Sequence, residues 1–317
     1  MSCVSLALKG VQSNIAKDNV TNMIEGNLKS YYDWALLAYL GGWTDVSIPT
    51  SGIYGADLSI LRPVTDPNYT NGQVWEAGRK DFVWETGVNY INSTGATLNP
   101  TPVGIPQVNG VPTTGSYYIN HPQGKIYFST PISTSATVKL AYSARYVQIY
   151  KGDDASWWRE IQQNSYRVDS SEFAQSASGG WSIMGENRIQ LPAVVIEVLP
   201  RGTSVGYELG GDALIAKREI QFSIITENPW DRKNLMDVFN FQTDRAIMMF
   251  DTNEIAESGV YPLNYKGSLV GTKMYPDWVQ DYPSTQLRMA QSTVIDIPVV
   301  HPKLFCVLVK TTMEVIV

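Results

Sequence analysis

The sequence predicts an α+β protein: helices packed on an antiparallel sheet, with a large inserted β-sandwich-like domain. Three observations predict it. An amphipathic helical segment lies near the start, a long series of short β-prone runs follows, and a strand–helix–strand pattern fills the last third.

The helical segment runs from Asp18 to Leu40. Ile24, Leu28, Tyr31, Ala35 and Tyr39 recur at helical spacing and share one face. Gly41-Gly42 follows at once and supplies a stop, because glycine tolerates the left-handed conformation. Gly26 is the weak point inside the helix.

From Trp43 to about Lys151 the character changes. Gly, Pro, Asn, Thr and Ser separate the β-prone runs Trp43–Ile48, Asp81–Trp84, Tyr117–Asn120, Lys125–Ser129, Thr137–Tyr142 and Tyr146–Tyr150. Many short strands at this spacing indicate a small sandwich or barrel. The stretch Ser93–Thr114 reads as a long loop. Asp153–Asn187 is ambiguous: Asp154 is a candidate start for a short helix through Glu160, Ser176–Gly180 has a connector's composition, and the pattern assigns the segment no definite structure.

The last third reads as one α+β unit. Ala193–Leu199 is an almost unbroken β-branched apolar run between Pro192 and Pro200, as a strand buried on both faces would be. Lys217–Thr226 is a second strand, with Ile220, Phe222 and Ile224 on one side. Asn228-Pro229-Trp230-Asp231 is a helix start: Asn caps, Pro fits the first turn, and Asp meets the positive helix end. The helix should reach about Thr243, with Leu235, Met236 and Phe239 inward. Ala246–Phe250 is a short strand and Asp251–Pro283 a loop region. Strands at Thr293–Val299 and Leu304–Val317 close the chain, the second interrupted or bent. Residues 43–189 separate 1–42 from 190–317.

Composition narrows function. Apolar residues make up 44% of the 317, enough for a real core, while charged residues reach only 17%. So few charges suggest a surface partly covered by partners. Tyr and Trp number 18 and 9 against 8 Phe, a choice that suits half-buried strands and wet interfaces. The net charge of −6, with scattered basic residues, lacks the footprint that grips phosphates, so sequence-specific nucleic-acid binding is not expected. No apolar run is long enough for a membrane helix, and residues 1–11 do not read as a secretory signal. Cys3 and Cys306 form neither a disulfide framework nor a zinc spacing, and Cys306 reads as a buried thiol in a protein made in a reducing cytosol.

The sequence nominates no catalytic, cofactor-binding or metal-binding residue, and an enzyme is not expected. Gly202-Thr203-Ser204-Val205-Gly206 matches G-x-S-x-G, with His301 as an imaginable base. That pattern needs a helix after the serine, and Tyr207–Gly211 is a poor helix start, so a serine hydrolase using Ser204 is a remote alternative to a hairpin tip. His121 and His301 each precede a proline and read as solvated turn residues. Asp153-Asp154 and the Asp277/Asp281 pair lack the spaced oxygen ligands of a calcium loop, and Gly210-Gly211-Asp212 lacks the lysine of a phosphate cradle.

Two regions resemble phage virion proteins. Tyr117-Tyr118-Ile119-Asn120-His121-Pro122-Gln123-Gly124-Lys125-Ile126-Tyr127-Phe128, followed by Val138–Ser143, resembles a hairpin unit common in such proteins. Lys217–Asp251, through Asn-Pro-Trp-Asp-Arg-Lys-Asn-Leu-Met-Asp-Val-Phe, resembles the core of tail terminator and tail-completion proteins of tailed bacteriophages. The resemblance covers about half of the chain and transfers no individual functional residue. That of Lys217–Asp251 to tail terminator proteins implies that 1–42 and 190–317 form one discontinuous domain with 43–189 inserted. It implies a homo-oligomeric ring, a hexamer, at the head-tail neck or top of the tail tube. It also implies contacts with neck, tail-tube, sheath or fibre proteins, DNA passing through the lumen, no membrane, and assembly into the virion in the host cytoplasm. A baseplate, fibre-attachment or capsid decoration protein is the alternative.

Overall fold

The computed structural model describes residues 17–49, 58–155, 157, 190–206, 214–297 and 304–316. The fold is mixed α/β and mostly strand. In chain order, α1 (Val20–Leu40) precedes β1 (Trp43–Val46), β2 (Ile60–Pro63), β3 (Val74–Glu76), β4 (Tyr90–Ile91), β5 (Thr97–Leu98) and β6 (Gln107–Val108). Then come β7 (Val111–Pro112), β8 (Tyr117–Asn120), β9 (Lys125–Phe128), β10 (Val138–Lys139), β11 (Tyr142–Arg145) and β12 (Gln148–Lys151). The remainder is β13 (Ala193–Gly206), β14 (Leu214–Thr226), α2 (Pro229–Asn240), β15 (Ala246–Phe250), α3 (Thr252–Ser258), α4 (Tyr275–Asp281), β16 (Pro283–Asp296) and β17 (Phe305–Ile316). The chain divides into two compact units: Met1–Tyr32 with Ile149–Gly259 and Tyr275–Val317, and Asp33–Gln148 with Val260–Met274.

The first unit is built on a six-stranded sheet in the order β12-β13-β14-β17-β16-β15, antiparallel at each pairing from β13 to β15. Its long strands pair over most of their length: Ile220 sits opposite Val198 on one side and Thr311 on the other. Three register shifts interrupt the ladder: between Val198 and Gly202 in β13, between Met289 and Gln291 in β16, and between Met248 and Phe250 where β15 pairs with β16. Val194, Ile196, Phe222, Ile224 and Val309 are fully buried. Tyr32 of α1, Phe222 of β14 and Phe239 of α2 form one aromatic cluster, with Tyr32 and Phe239 centroids 4.4 Å apart. Asn27, fully buried in α1, bonds both the N–H and the C=O of Phe250, at 2.8 and 2.9 Å, as a neighbouring strand would.

Helix α2 begins where the sequence says. Oδ1 of Asn228 accepts the N–H groups of Trp230 and Asp231 at 2.7 and 3.3 Å. It stops at Asn240, short of Thr243, and Met236 is only half-buried. The expected loop at Asp251–Pro283 instead holds α3 and α4. Helix α3 carries ordinary signals at both ends: Asp251 accepts the Asn253 N–H at 2.9 Å, and Gly259 closes it with φ +67°. Two strands of this sheet run longer than expected. β13 continues past Pro200, because the bulge absorbs that residue, and β16 starts at Pro283. β17 is unbroken, and the irregularity lies in its partner β16.

The second unit carries a seven-stranded sheet in the order β7-β6-β10-β2-β3-β9-β8, with the pairs β1-β11 and β4-β5 beside it. Trp75, Phe82, Ile126, Leu140 and Tyr142 fill its core. The expected loop at 93–114 contains β6 and β7, joined at Asn109-Gly110 with φ of 52° and 82°. Positive φ at both turn residues is the type I′ geometry, which asparagine and glycine accept at least cost. Asp81–Trp84 forms no strand. Its single bridge, Phe82 to Ala144, seats Phe82 in the core. Tyr39, placed by periodicity on the apolar face of α1, is 56% exposed and packs edge-on against Trp34.

Candidate functional site

The residues singled out for possible chemistry do not converge. Ser204 lies within β13, opposite Ala216 of β14 and exposed. A nucleophile elbow needs a sharp turn from strand to helix, and a paired strand offers none. His301, Cys3 and Gly210–Asp212 lie outside the described residues, as do most of the run Asp154–Glu160 and the whole of Ser176–Gly180. Asp153 and Asp154 form an exposed 3-10 turn, and Asp277 and Asp281 lie on α4. Among the described residues, no group of three or more His, Cys, Asp or Glu side chains could hold a metal ion. No described helix is long and apolar enough to cross a membrane. Cys306 is buried, and that burial pushes its thiol up to about 11.

His121 is buried, where the sequence suggests a solvated turn residue. The turn joining β8 to β9 places its side chain inward, 5% exposed. Its Nδ1 lies 3.1 Å from the carbonyl oxygen of Gly267, which also accepts the His121 backbone N–H at 2.9 Å. Burial lowers its pKa, against the pull of that carbonyl, so the neutral ring with a proton on Nδ1 fits the contact. Gly267 has φ +72°, and a Cβ there would meet Oδ1 of Asn120 at 2.5 Å. Ser268 Oγ donates to the carbonyl of Ile119 at 2.8 Å. The segment Val260–Met274 is thereby tied to the β8–β9 hairpin. No periodic signal in the sequence announces this tie, because it rests on a turn carbonyl and a glycine.

Beside that tie lies an open groove of about 350 Å³, lined among others by Trp84, Pro102, Tyr117, Tyr118, His121 and Leu269. On the same hairpin Tyr118 stacks on Tyr127, with centroids 4.5 Å apart and planes 3° from parallel. The hydroxyls of Tyr69 and Tyr118 are 2.6 Å apart, and Lys266 Nζ stands 5.0 Å from the Tyr118 ring centre. Burial and the Tyr69 hydrogen bond raise the Tyr118 pKa, and burial holds Tyr127 at about 12, so both stay protonated. Aromatic faces with hydroxyl tips and one cation make a surface suited to binding.

Arg145 anchors the unit's buried charges. Its guanidinium donates to Glu85 Oε1 and to the carbonyl of Asp33 at 2.9 Å, and lies 3.4 Å from Asp81. Burial acts against the Arg145 charge, but Glu85, Asp33 and Asp81 outweigh it and hold the cation. Burial pushes the Glu85 carboxyl up while Arg145 pulls it back. Removing one partner of such a buried pair leaves the other charge uncompensated in the interior.

No protein-family model matches the chain, and no curated protein matches it.

Proposed function

We propose that the chain is a structural virion protein of a tailed bacteriophage, forming an oligomeric ring at the head-tail neck or the top of the tail tube, as a tail terminator or connector. The observation that supports this reading best is the path β14–α2–β15, in which a capped helix that buries Leu235 and Phe239 connects two strands of the six-stranded sheet. In this reading the first unit is the ring-forming domain, with helices layered on its antiparallel sheet. The second unit is the inserted, sandwich-like β-domain, facing neighbouring neck, tube, sheath or fibre proteins. The task is mechanical: copies close through head-to-tail contacts and halt tube growth. A net charge of −6 favours a lumen that repels DNA and lets it slide. Negative-stain microscopy and light scattering of the full chain test the reading. Closed rings, alone or on purified tail tubes, are expected. A monomer at every concentration, with tubes present or absent, overturns it.

The aromatic groove of the second unit favours a second reading, a baseplate, fibre-attachment or decoration protein. Immunogold labelling of virions separates the two, since this reading puts the signal on the distal tail or the head.

A further inference from the structure

We propose that copies of this chain join by strand addition, the outer edge of β13 in one copy pairing antiparallel with the outer edge of β16 in the next. The inference rests on the ring reading for closure, but the edges themselves come from the sheet.

Both flanking strands of the six-stranded sheet are too short for the strands they cover. β12 has four residues against fourteen in β13, and Gly152, just after β12, lies against Glu197. One residue further, the Val198 N–H is taken by the Glu25 carboxylate at 2.9 Å. Beyond it, Pro200–Gly206 are exposed, and among the described residues nothing bonds their backbone on the side away from β14. On the opposite side, β15 reaches only Arg288 of β16, and the last outward bonds join Met289 to Asp244 and Arg245 at 2.7 and 2.9 Å. From Gln291 to Asp296, nothing among the described residues bonds the β16 backbone on the side away from β17.

An open edge is a template for another strand, and proteins ordinarily blunt it with lysine, proline or inward charge. Pro200 and Arg201 sit in the β13 bulge, but Gly202–Gly206 carries no charge or proline, and neither does Gln291–Ile295. Val205 is 55% exposed, and Thr293 and Ile295 also face solvent. The two edges have similar lengths, lie on opposite sides of one sheet and run in opposite directions, so a second copy satisfies each with the other. Such a contact is head-to-tail and leaves one edge of each kind at the ends until a ring closes.

The register adds a constraint. Gly202 shares a row with Arg218, Met313 and Met289, whereas Val294 shares one with Val309, Phe222 and Ile196. The open part of one edge is therefore level with the covered part of the other. Joining them staggers successive copies by ~5 residues, roughly 17 Å along the strands, for ~19 Å of sheet width from four strands. That ratio inclines the strands by about 40°, within the range by which sheets close on themselves. The stagger also leaves room for β12 below the incoming β16, and for β15 above the incoming β13.

The test uses full-length chains in a Cys3→Ser background. One preparation carries Ser204→Cys and the other Thr293→Cys, treated with a short bis-maleimide. Covalent dimers in the mixture, and in neither preparation alone, are expected. Val205→Lys with Thr293→Lys should shift the assembly to monomer in light scattering, with an unchanged thermal melt showing that the fold is kept. Rings that persist in the lysine variant, with no cross-link in the mixture, overturn strand addition while leaving the ring itself. A wild-type monomer under all conditions overturns both.

Discussion

Phe239 of α2 sits 4.9 Å, centroid to centroid, from Phe222 of β14, and both side chains are fully buried. Each ring removes a large apolar area from water, and the tilted contact adds a pairwise share. Phe222→Ala is expected to cost about 3–5 kcal/mol, and Phe239→Ala a similar amount. The double variant should lose less than the sum of the two, by ~0.5–1.5 kcal/mol, since one contact is removed twice. Urea denaturation of the three variants checks this. Strict additivity would mean that the rings merely neighbour each other.

Asn228 starts α2 by accepting two backbone N–H groups. Asn228→Ala leaves them without that acceptor and should cost about 1 kcal/mol, whereas Asn228→Asp should keep most of the stability. Thermal melts of both variants decide it. An alanine variant as stable as the parent would show that the cap is not needed.

These two residues also show what was legible. Asn228, Pro229 and the apolar spacing to Phe239 are local signals, so α2 can be read directly, as can most of α1. Asn109-Gly110 is an equally local signal, and it marks the β6–β7 hairpin inside a stretch whose proline and glycine content suggested only a loop. The extension of β13 beyond Pro200 was not legible, because a bulge that absorbs a proline depends on the partner strand. The same holds for His121 with Gly267 and for Arg145 with Glu85, contacts 146 and 60 residues apart in sequence. Long-range pairs of this kind leave no periodicity. The assignment of Val260–Met274 to the second unit was hidden for that reason.

Arg145 supplies the third prediction. Arg145→Met removes the cation and strands Glu85 in the interior, which should cost about 3–5 kcal/mol. Adding Glu85→Leu removes the stranded charge, so the double variant should recover much of the loss. Chemical denaturation measures both. A double variant worse than Arg145→Met would show that Glu85 stabilises the unit through contacts other than Arg145.

Glu25 gives a prediction in pH. Its carboxylate accepts the Val198 N–H, yet burial raises its pKa, assisted by Asp153 and Glu197 and opposed by the hydrogen bond and Lys151. A carboxyl raised on folding contributes stability that is fully present below its unfolded pKa of about 4.3 and lost as pH rises through the folded value. Glu25→Gln keeps an acceptor oxygen for Val198 and cannot ionise. The variant's melting temperature, measured relative to the parent's, should therefore climb as pH rises above about 4 and level off once pH has passed the folded value. If the difference fell over that window instead, the charged carboxylate would be the form that the fold prefers. The Val198 bond and Lys151 would then outweigh burial in holding Glu25 against the β13 edge.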